Sequence, residues 1–572
     1  MKVFRYFAHQ YPAQGLLVLL CLVVAGAMEG LGLSAVLPIL TLLMDSPGSE
    51  AESSRLAIWV TDTLDRIGLQ ASLGTLVPGV IAIFWLKAGV VLIAKSRVGF
   101  MVATVATDLR LELLRVLMAA RWSYYTRLRP GSAANALATE AERASLAFHH
   151  LSQICGYVVE TILYLGLALA ISWVVTAGAL ATSVFTFGAL AALVRMSGKA
   201  GRKQTKFLKS LLSQVTDSLQ AVKLLKATGR EPLIEPMLEH DTRRLNLALR
   251  RRVFSKEALR ALQEPITVSC GCAGLFVGFV WLEIPMAEVL LLIALFARTI
   301  GVSNNLQRKY QALTIDASAL WSMRDMIDQA YAEVEPSLGD TEPTLNQGIE
   351  LRGITVRLGD ATVLEDFDLS MPKGMITALV GESGAGKTTA ADLVAGLIRP
   401  DQGEVLVDGV PLETLDLQRW RHMIGYVPQE VLMLHDSVEM NVSLGDSSVT
   451  PEQVERALRD VGAWGFISEL PDGLASSVGE RGSLLSGGQR QRIAIARALV
   501  YGAELLIMDE ATAALDSESE AEIWSTVRQL RGRATVIAIS HQPALTGIAD
   551  RVYRISDGKA VAIESAVARA AS

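Results

Sequence analysis

The chain has 572 residues, 51% of them hydrophobic, and a mean hydropathy of +0.35, which is too long for one ordinary core and too apolar for a wholly water-soluble protein of that size. Its formal net charge of -6 gives no reason to expect nucleic acid as a partner. The four cysteines, Cys21, Cys155, Cys270 and Cys272, lie in apolar stretches without the paired spacing of a zinc site, so they read as small hydrophobes and not as disulfide partners.

The start, MKVFRYFAHQYPAQG, is a short amphipathic stretch in which Lys2 and Arg5 face polar surroundings. No small-residue cleavage site follows a short apolar core, so residues 1–14 read as an interfacial segment, and they leave no room for a peptidase domain ahead of the first span. Apolar runs long enough for the ~20 residues of a membrane helix then follow. Span one runs from about Gly15 to Met44 and span two from about Leu73 to Ile93. Spans three and four cover 150–194, divided near Trp173 to Thr176, and spans five and six cover 265–281 and 286–302. Six helices put both termini on one side. Residues 195–260 carry 16 Lys/Arg against 6 Asp/Glu, whereas residues 45–72 carry 2 against 5. The basic loops and both termini are therefore expected in the cytoplasm. Two long loops, about 95–143 and 197–264, have helical composition, and the membrane helices are expected to continue into them.

Hydropathy drops after about Tyr310, and EVEPSLGDTEPTLNQ, residues 333–347, has linker composition. The expected architecture is multidomain: an all-α six-helix transmembrane domain over 15–310, a linker over 311–348, and an α/β P-loop ATPase domain over 349–572. In the last of these, the strand MITALVG runs into GESGAGKTT and the helical TAADLVAGLI. Strand, glycine-rich turn and helix is the context a phosphate-binding loop needs. The backbone amides of Gly381, Glu382, Ser383, Gly384, Ala385 and Gly386 would wrap phosphates at the start of the helix carrying Lys387, Thr388 and Thr389. Lys387 is placed to reach the β- and γ-phosphates of ATP, and the Thr388 hydroxyl to ligate Mg²⁺. A second apolar strand, ELLIMDE, ends in Asp509, a magnesium ligand by this reading, and Glu510, placed to orient and deprotonate the attacking water. The alternative for the pair is solvent contact at a strand edge. TVIAISHQ delivers His541 toward the γ-phosphate; alone it would read as a surface turn residue.

LSGGQ, with Ser486, Gly487, Gly488 and Gln489, precedes the helix RQRIAIARAL and is a second glycine-rich helix start. One compact domain cannot cradle one nucleotide from two helix N-termini. A second copy, related by twofold symmetry, would bring Ser486 and Gly488 to the γ-phosphate held by Lys387.

In the order GESGAGKTT, YVPQE, LSGGQ, ELLIMDE, AALD, ISHQ, the chain resembles the ATP-binding cassette transporter superfamily over essentially its whole length, in the exporter type that fuses six spans to one nucleotide-binding domain. The resemblance implies that Gln429 links the magnesium and water site to the membrane domain, that Asp516 touches the opposite site, and that coupling helices lie near Trp122 to Arg129 and Ala221 to Glu231. The family commonly stacks an aromatic ring on adenine; the matching position here holds Leu358, which places base stacking in question. Intact Glu510 and Ser486 favour a homodimer with two working sites. The expected activity is ATP hydrolysis coupled to alternating access in a bacterial inner membrane.

Charged residues in the spans, Glu29, Lys87, Glu160 and Arg298, are candidate substrate contacts, with interhelical ion pairs as the alternative. MEGLGLSAVLPIL and ALFARTIGVSNNLQRKY loosely resemble bacterial flippases for lipid-linked oligosaccharides, so a lipid-like or amphipathic cargo is expected, in which Lys87 and Arg298 meet a pyrophosphate. Export of lipid, peptide or drug stays open, as do an importer and a nucleotide-gated regulator; intact Glu510 argues against the last.

Overall fold

The computed structural model describes residues 2–34, 72–128, 130–171, 173–276, 286–336, 339–359, 361–512, 515, 517–540 and 543–563. The chain divides into two compact units, 1–120 with 124–334, and 121–123 with 335–572.

The first unit is helical. Its long helices are α2 (Pro12–Ser34), α3 (Leu73–Ala119), α4 (Ala141–Ile171), α5 (Trp173–Gln220), α6 (Ile234–Phe276) and α7 (Met286–Ala332), after a short amphipathic α1 (Lys2–Gln10). The 47 residues of α3 make a rod of about 70 Å, more than twice the ~30 Å hydrocarbon core of a bilayer. The long loops are accordingly helical for most of their length. Among the described residues, two helices, Gly74–Ala119 and Thr176–Leu219, are alone long and apolar enough to cross a membrane. A third candidate is the pair Val3–Gln10 and Pro12–Met28, bent by 107°. The other expected spans run into residues outside the described set, among them 35–44 in span one and 277–281 in span five. The expected division of spans three and four falls at Ile171 and Trp173. Apolar side chains facing outward, among them Leu20, Trp85, Leu86, Leu92 and Phe100, fit a lipid-contacting surface.

α1 is pinned by its apolar face. Phe7 is buried and meets Phe148 edge-on, with ring centroids 5.2 Å apart. Just beyond it, the Tyr11 hydroxyl donates to Asp108 Oδ2 at 2.7 Å. Arg324 lies over the Tyr6 ring and pairs with Glu112 at 2.8 Å. Where α5, α6 and α7 meet, a buried polar knot joins Ser197, Ser255 and Gln311, whose Nε2 also donates to the Ser255 carbonyl at 3.1 Å.

The second unit holds two sheets. One is antiparallel, in the order β2 (Ala361–Pro372), β1 (Gly348–Leu358), β4 (Gln402–Val407), β5 (Val410–Pro411). The other has the order β10 (Lys559–Ile563), β9 (Arg551–Ser556), β3 (Ile376–Gly381), β8 (Thr535–Ile539), β7 (Leu505–Asp509), β6 (Ile424–Val427), parallel except for β10 at one edge. Every residue of β7 and β8 is buried, as expected of central parallel strands covered on both faces. One core lies between the sheets (Leu351, Phe367, Leu379, Ile507), and another under helices (Val427, Ile493, Met508, Trp524).

The segment with linker composition is tied down at its described residues. The Asp408 carboxylate accepts from the amides of Asn346, Gln347 and Gly348 at 2.7, 2.6 and 3.0 Å, and from the Thr344 hydroxyl at 2.9 Å. Burial pushes the Asp408 carboxyl up, but these donors outweigh it and hold the group below the usual carboxylate range. Arg421 forks onto both carboxylate oxygens of Glu335 at 2.7 Å. Composition predicts a loose tether; the turn after β4 converts it into a strap.

Candidate functional site: a nucleotide cradle at the ends of three parallel strands

β3, β8, β7 and β6 pair successively in parallel, so their C-terminal ends share one edge of the sheet, and the ends of β3, β7 and β6 carry the predicted chemistry. Beyond β3 the chain turns through the glycine-rich loop into α8 (Lys387–Val394). Gly386, the residue before this helix, has φ +102°, and a Cβ there would come within 2.6 Å of Leu364 Cδ2. The tight turn thus needs glycine for both conformation and space. Lys387 is buried, and its Nζ donates to the carbonyls of Gly381 and Glu382 at 2.9 and 2.7 Å. Its ammonium spans the mouth of the loop. Burial lowers its pKa, and the carboxylates of Glu510 and Asp509 oppose that shift. Glu382, Ser383 and Gly384 are exposed at the rim, so their amides are accessible.

Asp509 is buried at the end of β7, where Thr388 Oγ1 donates to its Oδ1 at 3.2 Å. Burial first and neighbouring Glu510 next raise the Asp509 pKa, against hydrogen bonds from Thr388 and Tyr426. Glu510 sits in the left-handed region, φ +47°, a costly conformation for a residue with a Cβ. Its amide donates to the Ile539 carbonyl at 2.9 Å, which pins the turn beside the end of β8. Gln429 Nε2 donates to Glu510 Oε2 at 2.7 Å. Thr388, Asp509, Glu510 and Gln429 therefore form one connected chain of oxygen-rich groups around the start of α8. A hydroxyl, a buried carboxylate and a carboxamide are the donor set that suits a hard cation held between protein and phosphate, so the residues fit magnesium.

Two residues here went unread in the sequence. The Tyr426 hydroxyl donates to Asp509 Oδ2 at 3.4 Å, and burial with Asp509 nearby raises its pKa. Asp392, on α8, has its carboxyl pushed up to about 6 by burial and then by Asp509. A carboxylate inside the otherwise apolar AADLV was the available signal.

LSGGQ stands apart. Ser486 caps α9 (Gly487–Leu499): its Oγ accepts from the Gln489 amide at 3.3 Å while Gln489 Oε1 accepts from the Ser486 amide at 2.8 Å. Arg490 holds the loop from behind by donating to the Leu485 carbonyl at 2.7 Å. Ser486 and Gly487 are exposed, and among the described residues no hydrogen bond links this loop to the Lys387 loop. Leu358 lies at the exposed end of β1, opposite Ala361 in the hairpin. His541 and Asp516 lie outside the described residues, as does the side chain of Glu29 on α2. Of the other membrane candidates, Lys87 Nζ stands 5.8 Å above the Phe84 ring, Arg298 Nε donates to the Tyr164 hydroxyl at 3.3 Å, and Glu160 is half-buried on α4. The expected coupling segments contain the short helices Trp122–Arg127 and Val222–Ala227.

Two family models match the chain: the ABC transporter transmembrane region over residues 16–302 and ABC transporter over residues 364–513. The chain belongs to the ABC transporter family. It is similar to the heterocyst differentiation ATP-binding protein HepA of a Nostoc species, 30% identical over 80% of this chain and 75% of that protein. It is also similar to the ATP-dependent lipid A-core flippase of Pseudomonas fluorescens, 32% identical over 65% of this chain and 63% of the flippase. The structure of a bacterial Atm1-family ABC exporter with ATP bound superposes with a TM-score of 0.76 over 97% of this chain and 95% of that one; at 20% identity the likeness concerns the fold. This ABC transporter is a multi-pass membrane protein that binds ATP and couples its hydrolysis to transport.

Proposed function

We propose that the protein is a homodimeric flippase of the bacterial inner membrane that moves a lipid-like or lipid-linked amphiphile by alternating access, with its nucleotide-binding domain and both termini in the cytoplasm. The carrying observation is the exposed LSGGQ helix start, capped by Ser486 and Gln489 and braced by Arg490, with no hydrogen bond to residues 381–386 among the described residues. In this reading the Ser486 hydroxyl and the Gly488 amide complete the pocket of a second copy, and Asp516 touches the opposite site. Lys387 and the amides of residues 381–386 hold the phosphate tail, Leu358 covers the base, and His541 meets the γ-phosphate. Thr388, Asp509 and Gln429 are the residues that would hold Mg²⁺, whose chemistry is to neutralise charge on the phosphates. Glu510, oriented by Gln429, takes the proton of the attacking water. Because both halves touch the γ-phosphate only when closed, ATP favours the closed state, and that differential affinity is the source of work.

A lipid-like cargo is supported by the lipid A-core flippases among the relatives and by the charged residues placed along the spans. The domain limits 15–310, 311–348 and 349–572 belong to this reading.

The test is a mixing experiment in nanodiscs. Lys387→Ala and Ser486→Arg protomers are each expected to be inactive alone, and their mixture to regain partial ATPase activity, because a mixed dimer keeps one intact composite site. No recovery in verified mixed dimers would remove the composite pocket, and failure of the two protomers to associate would remove the homodimer.

A further inference from the structure

The first unit contains a cavity of about 630 Å³ walled by α4, α6 and α7. Arg252, Lys256 and Arg260 recur every four residues and so share one stripe of α6. Across from them α7 contributes Arg308, Lys309 and Asp316, and α4 contributes His150. Five fixed positive charges thus converge on one space, against Asp316 in its wall and Glu160 further along α4, whose charge reaches Tyr157, as that of Arg308 also does. Arg252 donates to the neutral Gln204 carboxamide at 2.9 Å, and Arg308 to neutral Asn305. Arg260 has Glu257 at 3.5 Å, but both side chains are more than half exposed, where such a pair is worth little. The acid in the wall, Asp316, is already engaged by Arg143 at 3.4 Å and His150 at 3.5 Å. Among the described residues no carboxylate lies within ion-pair distance of Arg252, Lys256, Arg308 or Lys309. His150 Nδ1 is buried there without a hydrogen-bond partner. Lys309 shows the cost: burial lowers its pKa, and Arg308 and Arg260 lower it further.

Like charges gathered without enough counter-charge are unfavourable unless a ligand supplies it. One carboxylate would leave most of the charge unmet, whereas a phosphate or pyrophosphate offers several charges and a ring of acceptors to guanidinium forks and an ammonium. We propose that this cavity is an anion subsite that seats the phosphate or pyrophosphate group of the transported amphiphile, beyond span six and separate from Lys87 and Arg298. The proposal rests on the lipid-like cargo reading and adds to it the chemistry of the headgroup.

The test uses the full chain in nanodiscs, in a Lys387→Ala background that removes the competing phosphate site of the P-loop. The probes are farnesyl pyrophosphate, farnesol and inorganic pyrophosphate, read by equilibrium binding. Arg308→Gln and Lys309→Gln are each expected to weaken farnesyl pyrophosphate about tenfold, as loss of one charge-assisted contact implies, and to leave farnesol unchanged; Lys309→Arg retains affinity. Unchanged affinity in both Gln variants, or farnesol binding as tightly as its pyrophosphate, overturns the subsite. If inorganic pyrophosphate binds as tightly as farnesyl pyrophosphate, the subsite stands with a free phosphate as its source; if it binds more weakly, the source is the lipid headgroup. Flipping of a pyrophosphate lipid, assayed with Lys387 intact, separates the two readings. Binding without flipping defeats the cargo assignment and leaves the subsite, whereas flipping unaffected by Arg308→Gln and Lys309→Gln defeats the subsite and leaves the cargo assignment.

Discussion

The two glycine-rich helix starts of the second unit are built to opposite plans. Around Lys387 the loop is forced: Gly386 is left-handed with no room for a methyl group, the ammonium is buried, and Glu510 is held in a strained conformation beside a buried acid. At Ser486 itself the backbone is ordinary, with φ -68° and ψ 165°. The serine and Gln489 satisfy each other's backbone, and a Cβ on Gly488 would meet Ser519 Oγ at 3.4 Å, an ordinary contact. Stored strain and clustered charge mark a site that works on its ligand, whereas a relaxed, exposed cap marks a surface that waits for one.

The hardest blow to this contrast is Glu510→Gln. It keeps the shape and the Gln429 neighbour but removes the proton acceptor, so hydrolysis should fall roughly 100- to 1000-fold while ATP binding persists; a steady-state ATPase assay alongside nucleotide binding reads both. Turnover near that of the wild type would remove Glu510 as the base. Next come the paired glycines. Gly386→Ala should lower the thermal midpoint of the second unit and weaken ATP binding, at a cost of about 1–3 kcal/mol for the strained backbone. Gly488→Ala should leave the stability of the unit within about 0.5 kcal/mol of the wild type and still depress hydrolysis. Equal thermal penalties would erase the distinction between the two loops.

Much of this contrast was legible in the sequence, for a physical reason. Phosphate binding by backbone amides demands glycines at fixed offsets between a strand and a helix, and a buried strand ending in Asp509 and Glu510 has few packing explanations. The residues that went unread owe their place to pairing between distant segments. Tyr426 faces Asp509 because β6 pairs with β7 in a register that sets Tyr426 against Ile507. Asp408 gathers the Asn346 and Gln347 amides across some sixty residues. The basic cavity needs three helices from separate stretches of the first unit. Local pattern announces each stripe but not that the stripes meet. Hydropathy similarly located the apolar runs, yet the helices extend well past them, since a helix does not end where its lipid-facing surface ends.

A gentler test asks whether the Lys387 side carries unmet negative charge that the Ser486 side lacks. The Asp392 carboxyl titrates near 6, above its ordinary value of 3.8, so the folded unit holds a proton there that the unfolded chain has already released. Stability therefore falls as pH rises from about 4 through 6, and the penalty is complete above that window. Asp392→Asn should remove it. In the absence of metal and nucleotide, the variant should be more stable than the wild type at pH 8 by about 1–2 kcal/mol after allowance for solvent screening. The difference should vanish below pH 4, as followed by thermal unfolding. A gain independent of pH would mean that packing, and not charge, sets the environment of Asp392.

The smallest expected effect concerns the base. Leu358 projects from the exposed end of β1, where an aliphatic side chain can cover adenine but cannot stack on it. Leu358→Tyr adds a ring at a position that is already solvent-exposed, so it should leave the fold intact and tighten ATP by about threefold to tenfold, the worth of one aromatic stacking contact. Because stacking acts on the base and not on the γ-phosphate, ADP should gain by the same factor, and hydrolysis at saturating ATP should stay the same. A change confined to ATP would instead tie Leu358 to closure around the γ-phosphate, and would place it with Ser486 on the side of the molecule that waits for a partner.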